Sequence, residues 1–208
     1  PQIYQGNIYG SRMPIGKKEI IENFKPETLR DYYRRRYHPL NQAVVIVGDF
    51  DPDVMEQSIR HHFAGLKPAP GARNATTIEV PDNSEPIVVC GSDPEQSADM
   101  LQVYIKDCPL PAGDEGTIAE IRRDYMRSLA AAMLVERFDA LESTPDCPWA
   151  NLGIGFGKFL LSGSREALML RATANSAAEA RRALTTFYTE LYRAAVHGFT
   201  ATELQRAK

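Results

Sequence analysis

Val44-Val45-Ile46-Val47 constrains this chain more than any other stretch, because a β-branched run that is apolar at every position has no solvent face. With Ala43 it reads as a strand buried from both sides, an inner strand of a sheet covered by helices. Gly48-Asp49 ends it, and helices bracket it. Upstream, Pro26 suits the first position of a helix in which Leu29, Tyr33 and Tyr37 recur every four residues and are expected to face inward. Arg30, Arg34 and Arg35 turn outward there, and Pro39 stops the helix. Downstream, Asp51 is placed to cap a helix begun by Pro52, with Met55, Ile59 and Phe63 inward and Gly65 closing it. Lys17–Phe24 makes a shorter helix, and residues 1–16 form an irregular lead-in.

Lys67–Arg73 is a proline- and glycine-rich break that marks a subdomain boundary. Beyond it, Pro86–Gly91 and Met100–Ile105 are strand-like. Asp114 or Thr117 opens a long helix through Leu141. Leu152–Leu161 and Ala167–Thr173 pair through Ser162-Gly163-Ser164. Ser176-Ala-Ala-Glu179 is a capping box ahead of a stripe of Leu184, Phe187 and Leu191 that runs to Gly198. The order strand, strand, helix, strand, strand, helix predicts an α+β class: mainly antiparallel sheets with helices packed on one face.

A net charge of −3 provides no field for nucleic acid or an anionic membrane, and no apolar stretch is long enough to span a bilayer. Cys90, Cys108 and Cys147 fit neither a disulfide framework nor a metal knuckle, and are expected to be buried free thiols. Thr200-Ala-Thr-Glu203 is a capping box that opens a helix ending abruptly at Lys208, so the sequence is expected to be a piece of something longer.

Hydrolysis at zinc needs histidines one helical turn apart beside a carboxylate. His38, His61, His62 and His197 contain no His-x-x-Glu-His or His-Glu-x-x-His pattern, and adjacent His61 and His62 point apart on a helix. Gly10…Gly16-Lys17-Lys18 fails as a phosphate loop by one residue of spacing and by Lys18 standing where a hydroxyl must meet magnesium. Gly153-Ile-Gly155-Phe-Gly157 is no dinucleotide fingerprint. At period two its glycines share one face of a strand and bare the backbone, for packing or for docking of an extended peptide. Arg34-Arg35-Arg36 and Arg122-Arg123 with Arg127 read as solvated helix faces, and Asn74-Ala75-Thr76 matches a glycosylation sequon. The residues thus show no catalytic, cofactor-binding or metal site.

Arg12-Met-Pro14-Ile-Gly16, Ile21–Phe24, Leu29–Pro39 and Val44–Asp51, with His197-Gly-Phe-Thr200 into Glu203-Leu204, resemble the pitrilysin/insulinase family of zinc metallopeptidases, the inverzincins. Its long bacterial members fit the letters best. The resemblance implies a two-subdomain, metallohydrolase-like architecture. Residues 1–66 would be the end of a first, catalytic-type domain without its zinc motif, 67–84 a linker, and 85–208 most of a second, inactive domain. It implies a non-catalytic part of a zinc metalloendopeptidase, forming part of the wall of a peptide-enclosing chamber. Zinc is expected in the full-length parent and none in this segment. The expected partners are the remaining domains of the same polypeptide and a peptide or unfolded protein substrate; no nucleic acid or membrane span is expected. The resemblance leans to a periplasmic or otherwise extracytoplasmic setting. The family also includes zinc-less relatives acting as partner or core subunits, and an unrelated α+β binding domain is the remaining alternative.

Overall fold

A computed structural model describes residues 2–4, 6–74 and 76–208, which fall into two units. One is Arg12–Thr77; the other is Ile78–Lys208 together with the described residues of Pro1–Ser11. Ala75 of the Asn74-Ala75-Thr76 sequon lies outside the described residues.

The second unit is built on a three-stranded antiparallel sheet. Helix α1 (Ile8–Ser11) belongs to this unit; α2 (Lys18–Asn23), α3 (Pro26–Arg36) and α4 (Pro52–Phe63) belong to the other. Strand β1 (Asp99–Asp107) is followed by α5 (Ile118–Glu142), β2 (Trp149–Lys158), β3 (Glu166–Ala174), α6 (Ala180–His197) and α7 (Ala201–Ala207). The strand order is β1-β3-β2, so β3 is central and β1 and β2 are edges. Along β3 the residues alternate. Leu170 and Ala172 enter a core with Val103, Phe138, Trp149, Ala183 and Phe187, against α5 and α6. Phe138 meets the rings of Trp149 and Phe187 at 5.9 and 5.7 Å, edge-on. Burying each phenylalanine is worth about 1.5–3 kcal/mol, and the aromatic pairs add to that. The α+β class with helices on one face is what the structure shows.

Among the described residues of this unit, the opposite sheet face is covered at one end. Ala167 and Met169 pack there with Tyr4, Val80 and Phe159. Part of the lead-in is therefore ordered: Gln2–Tyr4 and Ile8–Ser11 are helical, and the Tyr4 hydroxyl accepts from the Leu161 amide at 2.9 Å. The β2–β3 connection, turned by Leu160 at positive φ, holds buried Ser164, whose hydroxyl accepts from Val80 N and donates to Ile78 O, both at 2.9 Å.

Helix starts follow local chemistry. Asp51 Oδ1 accepts from the amides of Asp53 and Val54 at 2.9 and 3.2 Å, with Pro52 behind it. Thr117, not Asp114, caps α5, accepting from Ala119 N at 3.1 Å. The box at Thr200 and Glu203 is formed. The box at Ser176 is not: Ser176–Glu179 is a turn, and α6 starts at Ala180 with no side-chain cap.

Arg12–Thr77 departs most from expectation. Ala43–Val47 is extended but belongs to no ladder, and Val45 and Val47 are 84% and 93% exposed. Leu29, Tyr33 and Tyr37 also face solvent, Leu29 at 59%, with the two tyrosine rings stacked at 4.9 Å. A strand is buried by neighbouring strands and by layers on its faces. Among the described residues of this unit there is no second strand to pair it. Pro86–Gly91 likewise joins no ladder, with Val88 and Val89 exposed.

Candidate functional site at the edge of strand β2

Period-two glycine gives β2 its character. Leu152 and Ile154 pack on the helix-side core, so Gly153, Gly155 and Gly157 lie on the opposite face. A Cβ at Gly153 or Gly155 would meet nothing within 4 Å, whereas one at Gly157 would meet Met169 Cε at 3.1 Å. Gly157 thus has the flexible Met169 methyl as a close neighbour, while Gly153 and Gly155 lie bare. The outer backbone of β2 pairs with no strand among the described residues, so its amides and carbonyls are open to an added strand.

The residues bordering this lane come from register. Arg171 stands opposite Gly153 on one side and Gln102 on the other, while Met169 stands opposite Gly155. Thr173 and Asn151, also registered, approach each other at 3.3 Å. Among the described residues no carboxylate is within ion-pair distance of Arg171; its guanidinium donates only weakly to the Met100 thioether at 3.7 Å.

At the other end of the sheet, charges are paired off. Arg123 and Arg127 are not a solvated face. Arg123 donates to Glu166 at 2.8 Å, and Arg127 donates to Glu166 and, at 2.5 Å, to Asp107. Burial pushes the Asp107 carboxyl up, but Arg127, the Cys108 amide and Arg123 outweigh it and hold it below the ordinary range. Arg127 also lies over the Phe156 ring at 5.2 Å. Only half of this network had a signal in the sequence, the one-turn spacing of Arg123 and Arg127; the cross-strand pairing of Asp107 with Glu166 comes from the register.

A cleft of about 470 Å³ at α5, α6 and α7 is lined by Arg137, Leu141, Glu190, Arg193, His197 and Glu203. Its charges are also satisfied internally. Arg137 donates to Glu203 at 2.6 Å and to Gly198 O at 2.9 Å, and Arg193 donates to Glu190 at 2.6 Å.

The histidines do not fit zinc. Buried His38 places Nε2 3.0 Å from Arg73 O, and His62 Nδ1 lies 2.9 Å from Ser58 O. The rings of His61 and His62 stand edge-on at 5.6 Å, and among the described residues no group of three or more His, Cys, Asp or Glu is placed to hold a metal. Lys18 opens a six-residue helix and pairs with Glu22 at 3.8 Å, so no phosphate cradle forms. Arg34 pairs with Asp31 at 3.7 Å. Of the cysteines, Cys147 is buried, its thiol donating to Trp149 O at 3.3 Å. Cys90 and Cys108 are exposed, contrary to expectation, because both lie outside the two packed clusters.

Comparison with known proteins adds the ancestry. Residues 23–111 match the family model described as Peptidase M16 inactive domain. A zinc protease PQQL-like protein of Arabidopsis thaliana is 26% identical over 146 residues, which is 70% of this chain and 15% of that protein. A probable zinc protease PqqL of Haemophilus influenzae is 30% identical over 83 residues, 40% of this chain and 8% of that one. The chain thus spans a small share of the curated relatives that it matches. The crystal structure of the periplasmic protease PqqL from Escherichia coli shares the fold at a TM-score of 0.64 and 22% identity, over all of this chain and 22% of that one. The structure of the first half of the same protease gives the same score and identity over 99% of this chain and 43% of its own. The inactive-domain match, the PqqL-like relatives and the shared fold together support a segment similar to the pitrilysin/insulinase family of zinc metallopeptidases, the M16 peptidases.

Proposed function

We propose that this chain is a non-catalytic part of a PqqL-like zinc metalloendopeptidase, and that it forms part of the wall of a chamber enclosing peptide. The observation carrying this reading is the free β2 edge with its bare lane at Gly153 and Gly155, where an extended peptide can add a strand through main-chain hydrogen bonds. In this reading residues 1–66 close a first, catalytic-type domain, 67–84 link, and 85–208 begin the inactive one. The metal and its ligands belong to another part of the polypeptide, since the histidines here do not converge. Substrate would be peptide or unfolded protein, and the setting extracytoplasmic, in keeping with the periplasmic relative.

Metal analysis and peptide cleavage test this on the 208-residue chain and on the full-length protein, which is expected to carry a His-x-x-Glu-His segment upstream. The chain alone is expected to hold no stoichiometric zinc and to turn over no unstructured peptide; the full-length protein is expected to cleave it in a chelator-sensitive way. Chelator-sensitive cleavage by the 208 residues alone overturns the assignment. A full-length protein that binds no zinc transfers the case to a partner or core subunit.

A further inference from the structure

Arg171 is the one charged residue on the open end of the glycine-bearing face; its neighbours there are Asn151, Gly153, Thr173, Met100 and Gln102, all uncharged. It is exposed, and among the described residues no carboxylate pairs with it. Its cross-strand partner on the edge is Gly153, and that pairing gives the arginine reach. A peptide strand added beyond β2 would lie two strand spacings from β3, about 10 Å. An ordinary side chain at 153 would stand in that gap, but glycine leaves it empty. The glycine answers to no local demand, since its φ is not positive and a Cβ there meets nothing within 4 Å. A cation with no counter-ion among the described residues, facing a lane cleared of side chains at a strand edge that is unpaired among them, is complementary to a carboxylate on the incoming strand.

Building on the reading of β2 as a peptide-pairing edge, we propose that Arg171 is a specificity-determining residue, selecting extended peptides that carry an acidic side chain in register with Gly153. The acid is held across the glycine by the guanidinium while the β2 backbone holds the chain. The Met100 contact is a weak thioether acceptor and yields readily to a carboxylate.

Binding of three ten-residue extended peptides to the full chain tests this, with Glu, Gln or Lys at the central position and otherwise uncharged residues. A fourth peptide is the Gln version with alternate amides N-methylated. The Glu peptide is expected to bind roughly two- to fivefold more tightly than Gln at low salt, and Lys more weakly, as for an exposed ion pair. The preference should fade toward onefold at about 0.5 M salt. Arg171→Met should erase it and leave the Gln peptide unaffected. Gly153→Thr, which has open space for its side chain, should also erase it while the chain stays folded by circular dichroism. Glu and Gln peptides binding alike, with N-methylation still weakening the Gln peptide, sinks the role of Arg171 and leaves the β2 edge standing. A preference that survives Arg171→Met also overturns the proposal. No peptide binding, or binding indifferent to N-methylation, removes the edge reading and the inference together.

Discussion

The two units of this chain were written with the same local signals and came out differently. Ile78–Lys208 buries Phe138, Trp149, Leu170 and Phe187 in one cluster. In Arg12–Thr77 the one buried side chain among the described residues is His38. Both have amphipathic helices, Asp or Thr caps and β-branched runs. The difference is a pairing partner: β3 has a strand on each side, and Val44–Val47 has none in its unit. Helices of 11 and 12 residues such as α3 and α4 are marginal in water without tertiary packing. Capping and periodicity decide where an element can form; burial decides what it is worth.

The largest test of that contrast is a pair of truncations. Phe138→Ala should cost about 3–5 kcal/mol, because the ring is fully buried between Trp149 and Phe187 and leaves a cavity. Leu29→Ala, in the other unit, should change stability by no more than about 0.5 kcal/mol. Denaturant melts followed by Trp149, the sole tryptophan, report on the sheet unit, and far-ultraviolet dichroism reports on both. Equal losses from the two substitutions would break the contrast.

Acid comes next. Arg137, with help from the Thr200 amide, holds the Glu203 carboxyl down to about 2, clamping α7 to α5. A depressed carboxyl stabilises the fold fully above its unfolded value, near pH 4.5, and the contribution is lost as pH falls through about 2. Asp107 acts with the same sign. The α7 amides should therefore exchange faster between those two pH values, and Arg137→Met should move the Glu203 titration up toward an ordinary glutamate. An unchanged Glu203 titration in that variant would remove the clamp.

How much of this could be read from the residues follows range of interaction. Asp51, Pro26, Pro52, Thr200 and Glu203 act within a turn of themselves, and their helices stand where the letters put them. The β2–β3 pair was legible from alternation and the Ser162–Ser164 turn. Tyr4 reaching Leu161, and Arg127 reaching Glu166, join residues far apart in the chain, and single-residue pattern reading does not register such contacts. Ser176–Glu179 carries the letters of a capping box, yet Glu179 sits in a turn paired with Arg182 at 2.9 Å. At the candidate site the glycine period was visible, but Arg171 as its neighbour needed the register.

A smaller effect separates capping from burial. Asp51→Ala removes an acceptor for two first-turn amides and should cost α4 about 1 kcal/mol. Hydrogen exchange should show that loss in the α4 amides, while the Trp149-monitored midpoint stays put. A shifted midpoint would mean that the two units unfold as one.

The smallest expected effect is the most discriminating. Val45 and Val47 are exposed, so Val45→Lys or Val47→Lys in the 208-residue chain should alter stability by less than about 0.5 kcal/mol. The same changes should reduce self-association, because an uncovered apolar strand invites pairing with another copy and lysine opposes it. In the full-length protein the outcome diagnoses the strand's surroundings. A loss of several kcal/mol there would show that neighbours cover the run that the residues mark as buried, since an unpaired charge cannot be buried cheaply. A loss as small as in the shorter chain would show that Val44–Val47 stays open, and that its β-branched composition serves something other than an inner strand.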